Sequence, residues 1–145
     1  MVRSSLILAA LVVSGALSAF ADIVSANAAF QAGQYDLALQ EAAGDRSADA
    51  HALRARVILA KVMCSGREPD LAALGQALAA AEAALTLDEG HGEGRLQKAI
   101  ALSLLTRPMN LSEASDSGYG PKARVLAEAV LEDDPANHYA LGFLA

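Results

Sequence analysis

The sequence has no tryptophan and, across 145 residues, a single cysteine, Cys64. One cysteine excludes an internal disulfide framework, so packing alone must hold the fold. A chain of this length can bury enough apolar surface to do that. Aromatic residues make up only 4%, which leaves few large rings to anchor a core. Alternating apolar–polar runs of strand-forming residues are missing, and with them the signal for a half-buried sheet. Positive charge is scarce as well: 11 Lys and Arg face 17 Asp and Glu, a net charge of −6. That balance repels nucleic acid and anionic lipid surfaces. No apolar run reaches the roughly 20 residues that span a bilayer as a helix.

The apolar run that does occur lies at the N-terminus. LILAALVVSGAL (6–17) follows Arg3 and precedes Ala19-Phe20-Ala21. A positive start, a short apolar stretch and a small-x-small ending are the three parts of a cleavable signal peptide. Residues 1–21 are therefore expected to be removed after Ala21, placing the protein in the periplasm or outside the cell with no stable membrane span. Among the charges only Arg3 is lost, which leaves 10 basic against 17 acidic residues in 22–145. The apolar run is not followed by a cysteine for lipid attachment, nor preceded by a twin-arginine pair.

What the sequence has in abundance is alanine, within a hydrophobic fraction of 54%. Alanine has the highest helix propensity and lets helices approach closely. The apolar spacing predicts helices near 23–32, 36–44, 49–64, 70–87, 92–106, 121–133 and 137–145. Two stretches also echo one another: AEAALTLDEGH (81–91) returns forty-six positions later as AEAVLEDDPANH (127–138). Without gaps, Ala81, Glu82, Ala83, Leu85 and Asp88 align with Ala127, Glu128, Ala129, Leu131 and Asp134.

The segment NAAFQAGQYDLALQEA (27–42) reads as helix, turn, helix, with Gly33 at the break, Tyr35 packing and Ala38 opening a second apolar stripe. Gly33-x-Tyr35-x-x-Ala38 resembles the turn and second helix of a tetratricopeptide repeat, a helix-turn-helix unit of 34 residues. That family keeps one small residue inside the first helix and another near the start of the second. Ala26, Ala60, Ala99 and Ala145 match the first position, and Ala38, Ala77 and Ala123 the second. The step from Ala26 to Ala60 equals the family period. Longer turns, at 64–70 and 107–120, account for the wider spacing of the later units. These two stretches are rich in Gly, Pro and Ser, as turns require, and the second supplies the twelve residues by which the echo exceeds the period. The chain departs from the pattern at Glu89, where a proline is usual, at Arg56, where a bulky apolar residue is common, and in the second unit, which lacks the Gly-x-Tyr turn. The resemblance implies an all-α, right-handed α-solenoid of antiparallel helix pairs with about three and a half repeats over residues 22–145. The last of these would be incomplete, ending in an apolar first helix.

Catalytic signals are missing. His51, His91 and His138 lie about forty or more positions apart, unlike the short paired spacing of zinc ligands. Cys64 falls at the end of a helix, away from the helix N-terminus or cation that lowers a thiol pKa. Phosphate-cradling and nucleophile-elbow glycine motifs do not occur. Glu132-Asp133-Asp134 reads as a solvated helix end, and Asn110-Leu111-Ser112 as a glycosylation sequon without meaning in a bacterium. The expectation is a non-enzymatic protein with no catalytic, metal or cofactor site.

The resemblance further implies a protein or peptide partner held in a concave groove lined by first helices. Helical spacing places Arg54, Val57 and Lys61 on one such face and Glu93, Leu96 and Ile100 on another, with Asn27 as the matching position in the first unit. Arg54 and Lys61 would form a cationic patch suited to a carboxylate or acidic segment. Leu59, Met63, Leu85 and Leu131 are expected in the core. The expected function is a periplasmic scaffold for protein–protein interaction. The alternative is an accessory segment of a larger cell-envelope enzyme or transport complex that continues past residue 145. The uncapped last helix would be covered by a partner or by self-association.

Overall fold

The computed structural model describes residues 22–145, so the signal-peptide expectation for 1–21 lies outside the described residues. Every regular element among them is a helix, and none is long and apolar enough to cross a membrane. The chain divides into two compact units, one up to Arg46 and one from Ser47 to Ala145.

In the first unit α1 (22–31) and α2 (Tyr35–Glu41) meet at a tight turn. Gly33 adopts φ 75°, a left-handed conformation that glycine reaches without the Cβ clash. Its N–H bonds to Phe30 O at 3.0 Å, and Gln34 N–H to Ala29 O at 2.9 Å, the paired bonds of a Schellman ending. The Phe30 and Tyr35 rings lie 5.8 Å apart across the turn. Ala26 and Ala38 are fully buried.

The second unit contains α3 (Ala48–Cys64), α4 (Leu71–Leu87), α5 (Gly92–Leu105), α6 (Leu111–Ser117), α7 (Tyr119–Asp133) and α8 (His138–Leu144). Side-chain oxygens start most of them: Ser47 accepts from Ala50 N–H, Asp70 from Ala72 and Ala73, Asn110 from Glu113 and Asn137 from Ala140. Such caps satisfy N–H groups that the helix itself leaves without acceptors.

The helices pack by one rule used twice. Antiparallel α3 and α4 pack around Leu59, Leu74 and Ala77, and α5 closes this cluster with Ala101 and Leu104. α5 then pairs with α7 in turn, through Ala99, Leu102 and Ala123. α8 closes that second pair as Ala140 meets Leu96 and Val130. Thus α5 stands to α3 and α4 as α8 stands to α5 and α7. Most of the buried apolar residues are alanine, and the largest fully buried side chains are Leu59, Leu74, Leu96 and Val57. Each such aliphatic side chain stabilises the fold by about 1.5–3 kcal/mol.

The echoed segments occupy equivalent places in the two halves. α4 ends at Asp88, whose N–H bonds to Ala84 O at 2.9 Å; α7 ends at Asp134, bonded to Val130 O at 2.8 Å. Both aspartates leave the helical conformation and accept at Oδ1 from the N–H two residues on, Gly90 at 3.0 Å and Ala136 at 3.3 Å. His91 and Asn137 then cap the next helix by accepting from Gly94 and Ala140, each at 3.0 Å. Glu89 and Pro135 therefore occupy the same turn, which Asp88 and Asp134 hold without needing proline.

Three expectations need correction. The 107–120 stretch is not an unbroken loop: 111–117 forms α6, and α7 starts at Tyr119 ahead of Pro121. Asn110 Oδ1 accepts from Glu113 N–H, and Glu113 Oε2 accepts from Asn110 N–H, each at 3.0 Å, a capping box. Gly118, at φ 64°, then ends α6 and starts α7. Met63 is 59% exposed because α3 has reached its last turn there. Ala60 is half-buried and Ala145 exposed, whereas Ala77, Ala99 and Ala123 are buried. The close-packed alanines of α3 include Ala52 and Ala55.

Candidate interaction face

A polar cluster draws on α3, α5 and α8. Arg56 Nη1 of α3 lies 3.5 Å from Glu93 Oε1 of α5, with both side chains about one-third exposed. Gln97, one helical turn further along α5, donates from Nε2 to the same Glu93 oxygen at 3.0 Å. Gln97 itself is buried, so this bond compensates its desolvation. The Arg56 guanidinium also lies 5.5 Å from the centre of the Tyr139 ring of α8, within cation–π range. Tyr139 is 65% exposed. Three residues from three helices thus present a carboxylate, a guanidinium and an aromatic ring on one surface, with the buried Gln97 amide behind Glu93.

Neighbouring ion pairs hold the helices that carry this face. Arg95 of α5 reaches Asp133 of α7 at 2.8 Å and donates from Nε to Glu89 O at 3.1 Å. Lys98 reaches Glu82 of α4 at 3.0 Å. Partly exposed pairs contribute about 0–1 kcal/mol each, so they set orientation more than stability. On α7, Glu128 raises the Arg124 pKa through its hydrogen bond first and its charge second. That pair stands in solvent and builds no site. A separate cleft of about 390 Å³ is lined by Lys98, Pro121, Lys122, Val125 and Leu126.

The residues singled out from helical spacing divide by environment. Val57 and Leu96 are buried core residues, and Ile100 is half-buried against two core clusters. Spacing alone placed them on a binding face because a helix side that packs on neighbours and a side that meets a ligand share one periodicity. Of the others, Glu93 belongs to the cluster, Lys61 is exposed, and half-buried Arg54 donates from Nη2 to His51 Nδ1 at 2.8 Å. Asn27, in the first unit, donates from Nδ2 to Ile23 O at 3.0 Å within α1. Leu59 is buried, Leu85 half-buried, and Leu131 packs beside Leu96.

Spacing missed Arg56, Gln97 and Tyr139. Arg56 did carry a signal, as a charge among the apolar residues of α3. Tyr139 follows from the forty-six-residue echo, which maps it onto Glu93. Among the described residues, no group of three or more His, Cys, Asp and Glu side chains is placed to hold a metal ion. No protein-family model matches the chain, and no curated protein matches it.

Proposed function

We propose that the protein is an exported bacterial scaffold of the tetratricopeptide type, a right-handed α-solenoid acting without catalysis. It would work in the periplasm or outside the cell and hold a protein or peptide segment against the face carried by α3, α5 and α8. Arg56, Glu93 and Tyr139 are its central contacts. The observation that carries this reading is the convergence of Arg56, Glu93 and Tyr139, from three helices, on one face of a repeated packing, with Gln97 behind Glu93. An arginine and an exposed tyrosine are residue types enriched where proteins bind one another. The guanidinium offers paired donors to a carboxylate, while the ring offers apolar area with little conformational entropy to lose.

Site-specific photo-crosslinking in the source cells tests the proposal. A photoreactive side chain at position 139 is expected to trap a discrete partner, and one at position 125, in the separate cleft, is not. Adducts from 125 alone, or from neither position, would overturn the assignment.

A further inference from the structure

The two equivalent turns of the second unit differ in the chemistry of one cap. His91 closes α5 and Asn137 closes α8. An amide oxygen accepts a hydrogen bond at any pH, whereas an imidazole nitrogen accepts only while it carries no proton. His91 Nδ1 accepts from Gly94 N–H at 3.0 Å, and its Nε2 lies 2.9 Å from Asp49 Oδ1 on α3. An ionised carboxylate only accepts, so Nε2 holds the proton of a neutral ring and Nδ1 presents its lone pair to the backbone. One mostly buried ring, 13% exposed, therefore caps α5 and ties it to the start of α3.

We propose that His91 is a pH-sensitive cap: on acidification it keeps Asp49 but releases Gly94 N–H, loosening the first turn of α5 while α8 stays closed under Asn137. The doubly protonated ring is a donor at both nitrogens, which leaves Gly94 N–H without its acceptor. It also sets a positive charge at a helix N-terminus, where the helix dipole opposes it. Asp49 pulls the other way, but its side chain is 78% exposed and its attraction is screened.

Other charged groups lie on the elements around the ring, most of them with partners of their own. On α4, Asp88 Oδ1 accepts from Gly90 N–H and ends the helix, and Glu89 follows in the turn. On α5, Glu93 faces Arg56 of α3, and Arg95 faces Asp133 of α7. Imidazole is the side chain whose charge ordinarily changes between pH 5 and 8. The affected turn carries Glu93 and Arg95, the residues linking α5 to α3 and α7, so its opening would loosen the proposed interaction face from within.

Amide exchange resolved by NMR on the full chain tests this, with each rate expressed as protection against the intrinsic rate at that pH. Between pH 8 and pH 5 the protection of Gly94 is expected to fall roughly fivefold, the scale of a lost helix cap. Protection of Ala140, under the Asn137 cap, is expected to hold. In His91→Asn, Gly94 should behave as Ala140 does. Imidazole nitrogen shifts at pH 8 should report a proton on Nε2. Equal losses at Gly94 and Ala140, no loss at Gly94, a proton on Nδ1 at pH 8, or an undiminished pH response in His91→Asn would each overturn the proposal.

Discussion

Replacing Leu96 by alanine is expected to destabilise the protein by about 2–5 kcal/mol, the range for deleting a buried leucine side chain. Leu96 is 2% exposed and joins α5 to α7 and α8 through Val130 and Ala140, with Ile100 and Leu131 packed beside them. Because alanines dominate the buried positions, few large side chains share the load, and neighbours that small collapse poorly into a cavity. A typical domain is stable by only about 5–15 kcal/mol, so this one change removes a large share. Urea unfolding should show a lower midpoint at an unchanged slope. Exposed Lys61→Ala should stay within about 0.5 kcal/mol of the parent. A Leu96→Ala protein of parental stability would return Leu96 to the surface role its helical spacing first suggested.

The second large effect comes from adding volume. Ala99 is fully buried and shares a cluster with Leu102 and Ala123, flanked by Leu78, Tyr119, Leu126 and Phe143. Ala99→Leu inserts three carbons where α5 and α7 approach through small residues. Overpacking of this kind typically costs about 1–3 kcal/mol, occasionally more. Ala60→Leu should cost less, because Ala60 is half-buried, and Ala145→Leu should cost almost nothing at an exposed position. The three variants form a graded series read by thermal or urea unfolding. Equal tolerance at 60 and 99 would show that the alanine register does not set the distance between helices.

The same residues show how much the sequence disclosed. Helix positions were legible because alanine-rich apolar stripes, Gly33, Asp70 and the Asp88 and Asp134 turns mark ends by local chemistry. The echo was legible because one turn is built twice, down to the Asx bond and the following cap. α6 was overlooked although Asn110-x-x-Glu113 spells a capping box, because its surroundings are rich in Ser, Gly and Pro and its exposed helix has no buried stripe. Ala60 misled because a period of 34 counts residues along the chain, while burial depends on which side of α3 meets its neighbours, and Leu59 is the residue that does so there. The polar cluster on α3, α5 and α8 was only half legible. Glu93 emerged from spacing, but the grouping of Arg56, Gln97 and Tyr139 is a tertiary fact, and no periodicity within one helix reveals which residues of three helices meet. Val57 and Leu96 show the converse, being correctly spaced and yet buried.

The repeated packing is most directly tested by methyl–methyl NOE spectroscopy on protein labelled at Ala, Leu and Val. Cross-peaks are expected among Leu59, Leu74 and Leu104, joining α3 and α4 to α5, and among Leu96, Val130 and Ala140, joining α5 and α7 to α8. Both sets together place α8 on its pair as α5 lies on its own. Presence of the first set without the second would contradict the repeat.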